Sequence, residues 1–214
     1  YLTGETFGYY ADFGSPETLE KALTRVFVHD GGYSTFRGRL WGAPVPDALD
    51  RRRFVVFTQN HDQVGNRALG DRPEARAGLD VAAAGAAIVL LGPFTPLLFQ
   101  GQEWGATGPF QFFTDHSDEL GVPVRDGRRA EFDGHGWREV YGPDLVVPDP
   151  QAVATFDVSR LDWAEAELPR HAALVDFHTA LIRLRRESLG PGLPLATRHG
   201  DGWFELSHGP LRVV

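Results

Sequence analysis

The chain has 214 residues, 42% of them hydrophobic and 12% aromatic, which is enough to bury a substantial core and too much for a disordered chain. Lys and Arg number 21 against 29 Asp and Glu, a formal net charge of -8, which argues against a general nucleic-acid or anionic-membrane binder. The absence of Cys excludes thiol nucleophiles, disulfides and cysteine–zinc sites, and the absence of Met in a chain that starts at Tyr1 is expected of an interior slice of a longer protein. Only Lys21 among the cations is a lysine; Ala, Gly and Pro are also abundant, so the Arg excess follows composition and needs no functional cause.

Ser15-Pro16-Glu17 has the form of a helix start, with an N-cap serine, proline in the first turn and an early acid. Leu19, Leu23, Val26 and Phe27 then share one helical face, and His29 to Gly32 end it. Residues 33–49 read as a loop with little periodicity. Phe54-Val55-Val56-Phe57-Thr58 is a short β-branched and aromatic run, the pattern of a strand buried on both faces in a parallel sheet. A polar loop covers residues 59–71. Residues 75–91 read as an Ala-rich helix stopped by Gly92-Pro93, and residues 95–100 as a second buried strand followed by a Gly-flanked polar turn. The apolar stretch 79–99 is broken by Asp80, Pro93 and Pro96, and its clean run, 81–91, falls short of the roughly 20 residues that span a bilayer. No membrane partner is expected.

Strand, polar loop, helix, strand and polar loop make a βαβ unit, hence an α/β fold. Residues 106–168 show little regular pattern, and a structureless segment that long is usually functional or carries small elements of its own. Pro169 opens an amphipathic helix with Leu174, Phe177, Leu181 and Leu184 on one side, and Arg183, Arg185 and Arg186 in its last turns suit the helix dipole. After Gly190 the pattern changes. Residues 195–198 and 203–206 flank His199-Gly200-Asp201-Gly202 as a hairpin, and residues 211–214 form a third strand.

Chemistry is expected on the loops that follow buried parallel strands. Both carry polar clusters there: Gln59-Asn60-His61-Asp62-Gln63 and Gln100-Gly101-Gln102-Glu103-Trp104. Packing offers a plainer account, in which Asp62 and Asn66 cap nearby backbone N–H groups. Taken alone, Asp62 and Glu103 also suggest a glycosidase carboxylate pair. Trp41, Trp104, Phe110, Phe112 and Phe113 are candidate sugar platforms, although each taken singly is better explained as core filling. A metal site from His61, Asp62, His116 and Asp118 matches no closed ligand spacing, and neither metal nor cofactor is expected.

FVVFTQNHDQVGNRALGDR (54–72) resembles the fourth signature region of the α-amylase superfamily, glycoside hydrolase family thirteen, whose hallmark triplet is here Asn60-His61-Asp62 at the end of the seventh barrel strand. FTPLLFQGQEWGATGPFQFFTDH (94–116), GRRAEF (127–132), PDPQ (148–151), SRLDW (159–163), LTGETFGYYADFG (2–14) and DGGYSTFRGRLWGAP (30–44) narrow the resemblance to its malto-oligosyltrehalose trehalohydrolase branch. The FFTDH and GRRAEF segments argue against a branching or debranching enzyme. A non-catalytic carbohydrate-binding protein is the reading from another class.

The resemblance implies a (β/α)8 TIM barrel, of which residues 1–190 are the C-terminal part, with residues 191–214 beginning a β-sandwich domain. It implies hydrolysis, with retention, of the α-1,4 bond next to the trehalosyl end of malto-oligosyltrehalose, releasing trehalose in the bacterial cytoplasm. The nucleophilic Asp and the acid/base Glu follow the fourth and fifth barrel strands and fall outside these residues. Asp62 matches the third carboxylate, the transition-state stabiliser, so this chain is expected to be inactive by itself. His61 is expected on the same sugar, and Gln63, Asn66, Arg67, Glu103 and Trp104 beside the cleft. Glu103 follows the eighth strand and so loses the acid role. In relatives the first and third places of Gln100-Gly101-Gln102 often hold Met and Glu, so Gln102 carries no catalytic weight. Residues 107–169 are expected over the barrel mouth, shaping specificity for the trehalose end. The synthase that builds the trehalosyl end is the implied pathway neighbour.

Overall fold

A computed structural model describes residues 1–6, 8–133 and 137–214, the side chain of Tyr9 excepted, so Phe7 of the opening motif lies outside the described residues. The first helix, α1 (Pro16–Arg25), starts as its sequence predicts: the Ser15 hydroxyl accepts from the Thr18 N–H at 3.2 Å. It ends sooner than the apolar face suggested, because Val26 adopts a positive φ of 78°. The segment read as a loop contains an antiparallel hairpin, β1 (Asp30–Ser34) and β2 (Arg39–Gly42). Its glycines and mixed exposure hid the alternation that betrays a strand.

The two apolar runs form the expected parallel pair, β3 (Val55–Val56) with β4 (Thr95–Pro96). Thr95 N–H donates to Phe54 and Leu97 N–H to Val56. The strands are two residues each, and Val55 is 55% exposed, so burial on both faces does not hold in this chain. Each strand has one neighbour here, and a two-stranded sheet has no second layer to cover its open face.

Between them the polar loop is partly helical, α2 (His61–Gly65), and the Ala-rich helix is two: α3 (Pro73–Ala77) and α4 (Leu79–Leu91), separated by Gly78 at φ +86°. The long weakly patterned region contains α5 (Asp118–Glu131), α6 (Trp137–Tyr141) and α7 (Val153–Asp157). The last helix, α8 (Pro169–Ser188), buries Leu174, His178 and Leu181, while Phe177 and Leu184 stay over a third exposed; the inward stripe is rotated from the predicted one. Arg185 does not serve its own helix end. It reaches across to α4 and donates to the carbonyls of Leu90, Gly92 and Phe94 at 2.7, 2.9 and 2.5 Å.

The predicted hairpin is present and extended to three antiparallel strands, β5 (Leu195–Gly200), β6 (Trp203–His208) and β7 (Leu211–Val213), with Asp201-Gly202 at the turn. Phe204 and Leu206 of β6 bury against Leu23 of α1 and Phe94, just before β4. Ala86, Ala87, Leu90 and Leu91 of α4 pack with Leu181 of α8. A third cluster joins Ala68, after α2, to Phe132 and Trp137 of the long segment. No helix among the described residues is long and apolar enough to cross a membrane.

Candidate active site

The parallel hydrogen bonding of β3 and β4 brings the two polar clusters to the same edge. Asn60 accepts from the Gln63 N–H at 2.7 Å and so caps α2. That cap turns the chain sharply out of the strand and places His61 and Asp62 in the first helical turn. Both side chains project into solvent, 71% and 68% exposed, with His61 Nε2 3.3 Å from Asp62 Oδ1. Gln63 is exposed beside them.

Their neighbours do the opposite. Gln59 is 1% exposed. Its amide donates to Glu74 Oε1 at 2.6 Å and its carbonyl accepts from Arg72 Nη1 at 3.3 Å. Arg72, equally buried, also donates to Gln100 O at 2.9 Å and Gly108 O at 3.0 Å. One guanidinium therefore joins the residue before the Asn60-His61-Asp62 triplet, the turn after β4 and the start of the long segment. Burial depresses the Arg72 pKa and raises that of Glu74, the cost of keeping both in a poorly solvated site. Gln102 completes the tie: its carbonyl accepts from Phe99 N–H at 3.2 Å and its amide donates to the Thr58 hydroxyl at 2.9 Å.

The other residues expected near a sugar divide sharply. Arg67 is buried in an ionic cluster. Its guanidinium donates to Asp71 at 2.9 Å and to Glu5 at 2.9 and 3.3 Å, and Tyr141 donates to Asp71 on the far side. Burial opposes the Arg67 charge, but these two carboxylates outweigh it and raise its pKa; burial and Asp71 together push the Tyr141 phenol up. Asn66 ends α2, its N–H donating to Asp62 O. Glu103 is half-buried, close enough to Arg72 to favour that cation. Trp104 is 2% exposed, with its ring 5.0 Å from Trp163 and its carbonyl 2.7 Å from His171 Nδ1. As placed, Arg67 and Trp104 hold the edge together and turn no side chain to solvent.

Of the candidate platforms, Phe110 and Phe113 pack edge to face with Phe99 and Phe156, and Phe112 lies under the Arg128 guanidinium. Trp41 sits on the hairpin beneath Arg37 and Arg39. Among the described residues no group of three or more His, Asp or Glu is arranged to hold a metal ion.

Composition and periodicity missed Arg72 and Arg128, arginines in a chain where arginine is common, so their type announces nothing; Gln102, named in the second polar cluster and given no catalytic weight, makes structural bonds. The long segment is tied to this edge where Phe110 N–H donates to Gly70 O at 2.8 Å, and it is closed on itself through motif residues: Thr114 N–H donates to Pro150 O at 2.8 Å, Gln151 to His116 O at 2.8 Å, and Gln111 N–H to Ser159 Oγ at 2.9 Å.

No family model matches the chain. Individual relatives do. It is 52% identical over its whole length to a malto-oligosyltrehalose trehalohydrolase of Arthrobacter ramosus, of which it covers 37%. It is 49% identical over 87% of its length to that of Rhizobium sp. (strain M-11), covering 31%, and 38% identical over its whole length to that of Saccharolobus solfataricus, covering 35%. A crystal structure of a Salmonella typhimurium protein described as an alpha amylase superposes with a TM-score of 0.78 at 35% identity, over 96% of this chain and 37% of that one. The chain spans about a third of the length of the curated relatives it matches. At identities of 38–52% over 87–100% of its own length, the chain is similar to the corresponding third of relatives that share one name, malto-oligosyltrehalose trehalohydrolase.

Proposed function

We propose that this chain is the part of a retaining trehalohydrolase that presents the transition-state-stabilising carboxylate, Asp62. The complete enzyme hydrolyses the α-1,4-glucosidic bond adjacent to the terminal trehalosyl unit of malto-oligosyltrehalose and releases trehalose. The observation that carries the reading is the exposed His61–Asp62 pair on a capped helical turn at the end of a parallel strand, inside a stretch 52% identical to a named trehalohydrolase.

In this reading β3 and β4 are the last two strands of a (β/α)8 barrel, residues 1–190 belong to that barrel, and β5–β7 begin a β-sandwich domain. Further barrel strands on either side would cover Val55 and Leu97, which the β3–β4 pair leaves over a third exposed. Two carboxylates from other strands do the covalent work: an aspartate attacks the anomeric carbon while a glutamic acid protonates the departing glycosidic oxygen. Asp62 accepts hydrogen bonds from the sugar hydroxyls, and His61 and Gln63 add contacts to the same ring. These bonds strengthen as the ring flattens and positive charge grows at the anomeric carbon. Asn66, Arg67, Glu103 and Trp104 support that loop from behind. Water, not a metal or organic cofactor, completes the reaction. The pathway places the enzyme in the cytoplasm, downstream of the synthase that makes the trehalosyl end.

The test is Asp62→Asn in the complete enzyme, assayed for trehalose release. Turnover should fall on the order of a hundredfold or more, with a smaller loss of substrate binding. Near-normal turnover would remove Asp62 from the site.

A further inference from the structure

Helix α2 has five residues and ends at Gly65, and one side chain more than 60 residues away in sequence reaches the carbonyls of Gly65, Asn66 and Arg67 at that end. Arg128, in the GRRAEF stretch of α5, donates from Nη2 to Gly65 O at 2.7 Å and to Arg67 O at 2.8 Å, and from Nη1 to Asn66 O at 3.4 Å. It is 7% exposed, its guanidinium lies 4.5 Å from the Phe132 ring centre and 5.1 Å from that of Phe112, and Glu131 accepts from it at 2.8 Å. A planar fork with five N–H groups serves three successive carbonyls; an ammonium cannot span them.

The other end of α2 is held by the Asn60 cap, and Asp62 stands between the two anchors with its own carboxylate in solvent. We infer that Arg128 is a positioning residue for Asp62: it fixes the direction of α2, and through it the aim of the carboxylate, and it makes that aim depend on the seating of residues 107–168. The inference rests on the role proposed for Asp62. A catalytic group needs to be held within roughly 0.5 Å, and a displacement of about 1 Å costs on the order of a hundredfold in rate. The Arg128 guanidinium is buried and engaged with these carbonyls and Glu131, so its effect runs through the helix it caps.

The experiment compares R128A, R128K and D62N in the complete enzyme, with folded fraction measured by circular dichroism. For R128A, kcat per folded molecule should fall by about tenfold to a hundredfold, with KM changed by less than about threefold. R128K keeps the charge and most of the stem but loses the fork, and should lose several-fold in kcat. Free guanidinium ion, at concentrations too low to unfold the protein, should restore part of the R128A rate and leave R128K unaffected. Unchanged kcat per folded R128A, or a loss of activity that only follows the loss of folded protein, overturns the inference. If R128A does not fold, R128K decides by the same criterion. Normal turnover in D62N defeats the site assignment itself, whereas collapse of D62N beside an unimpaired R128 variant defeats the positioning role alone.

Discussion

Gln102 donates its amide to the Thr58 hydroxyl, so the turn after β4 closes over the end of β3. The same side chain accepts from the Phe99 N–H and is 3% exposed. A position that reads as part of a polar, catalytic-looking cluster is a clamp between two strand ends. Gln102→Ala leaves a buried N–H and hydroxyl without these partners, and should destabilise the protein by about 1–3 kcal/mol. Chemical denaturation checks it; a shift in midpoint with unchanged slope is the expected outcome.

Gly70 has φ +65°, and a Cβ there would lie 2.5 Å from the Phe110 carbonyl oxygen. Its own carbonyl accepts from Phe110 N–H. Gly70→Ala adds both left-handed strain and a backbone clash, and should cost on the order of 2 kcal/mol or more. The strain falls where the loop after α2 meets the long segment. Thermal unfolding should show it, and protease cleavage within residues 107–116 should rise.

Three carbonyls at the end of α4 and the start of β4 depend on Arg185. Arg185→Leu keeps much of the stem's packing but strands those acceptors, and should destabilise by about 2–4 kcal/mol. Arg185→Lys should recover less than half of that, since one ammonium cannot bond all three. Equal stabilities for the lysine variant and the parent would show that charge, not fork geometry, matters here.

Burial holds the Glu74 carboxyl above its ordinary value of 4.5, against the opposing pull of the Gln59 amide and the Arg72 cation. Because the native state takes up its proton more readily than the unfolded chain, this group favours folding at low pH. That contribution is present below the unfolded value and is lost as pH rises through the raised native value. The stability of the parent relative to Glu74→Gln should therefore fall as pH increases above about 4.5, then level off. Paired denaturation curves across pH 4–8 measure the difference; a difference that grows with pH would reverse the sign assigned to Glu74.

Local chemistry decided much of this protein in advance. The Ser15 cap, the two short apolar runs, the Gly92 stop and the Asp201-Gly202 turn act within a few residues, and each lies where its sequence predicts. The Asn60-His61-Asp62 triplet was legible because it sits directly after a strand. The hairpin β1–β2 was not, since its residues are mostly exposed, Ser34 apart, and leave no alternation to read. Nor was the break at Gly78, where one residue at positive φ divides a uniformly helix-favouring stretch.

What only the tertiary structure decided is which polar groups are spent inside the protein. Arg67, Arg72, Arg128 and Arg185 are indistinguishable by type from the solvent-facing arginines, yet each binds acceptors distant in sequence. Likewise Gln59 and Asp62 stand three residues apart in one polar loop, and the first is buried while the second is open to solvent. The physical reason is that short-range patterning fixes dihedral angles and faces, whereas burial and pairing depend on which distant backbone arrives. Motif singled out the Asn60-His61-Asp62 turn; long-range packing determined what holds that turn in place.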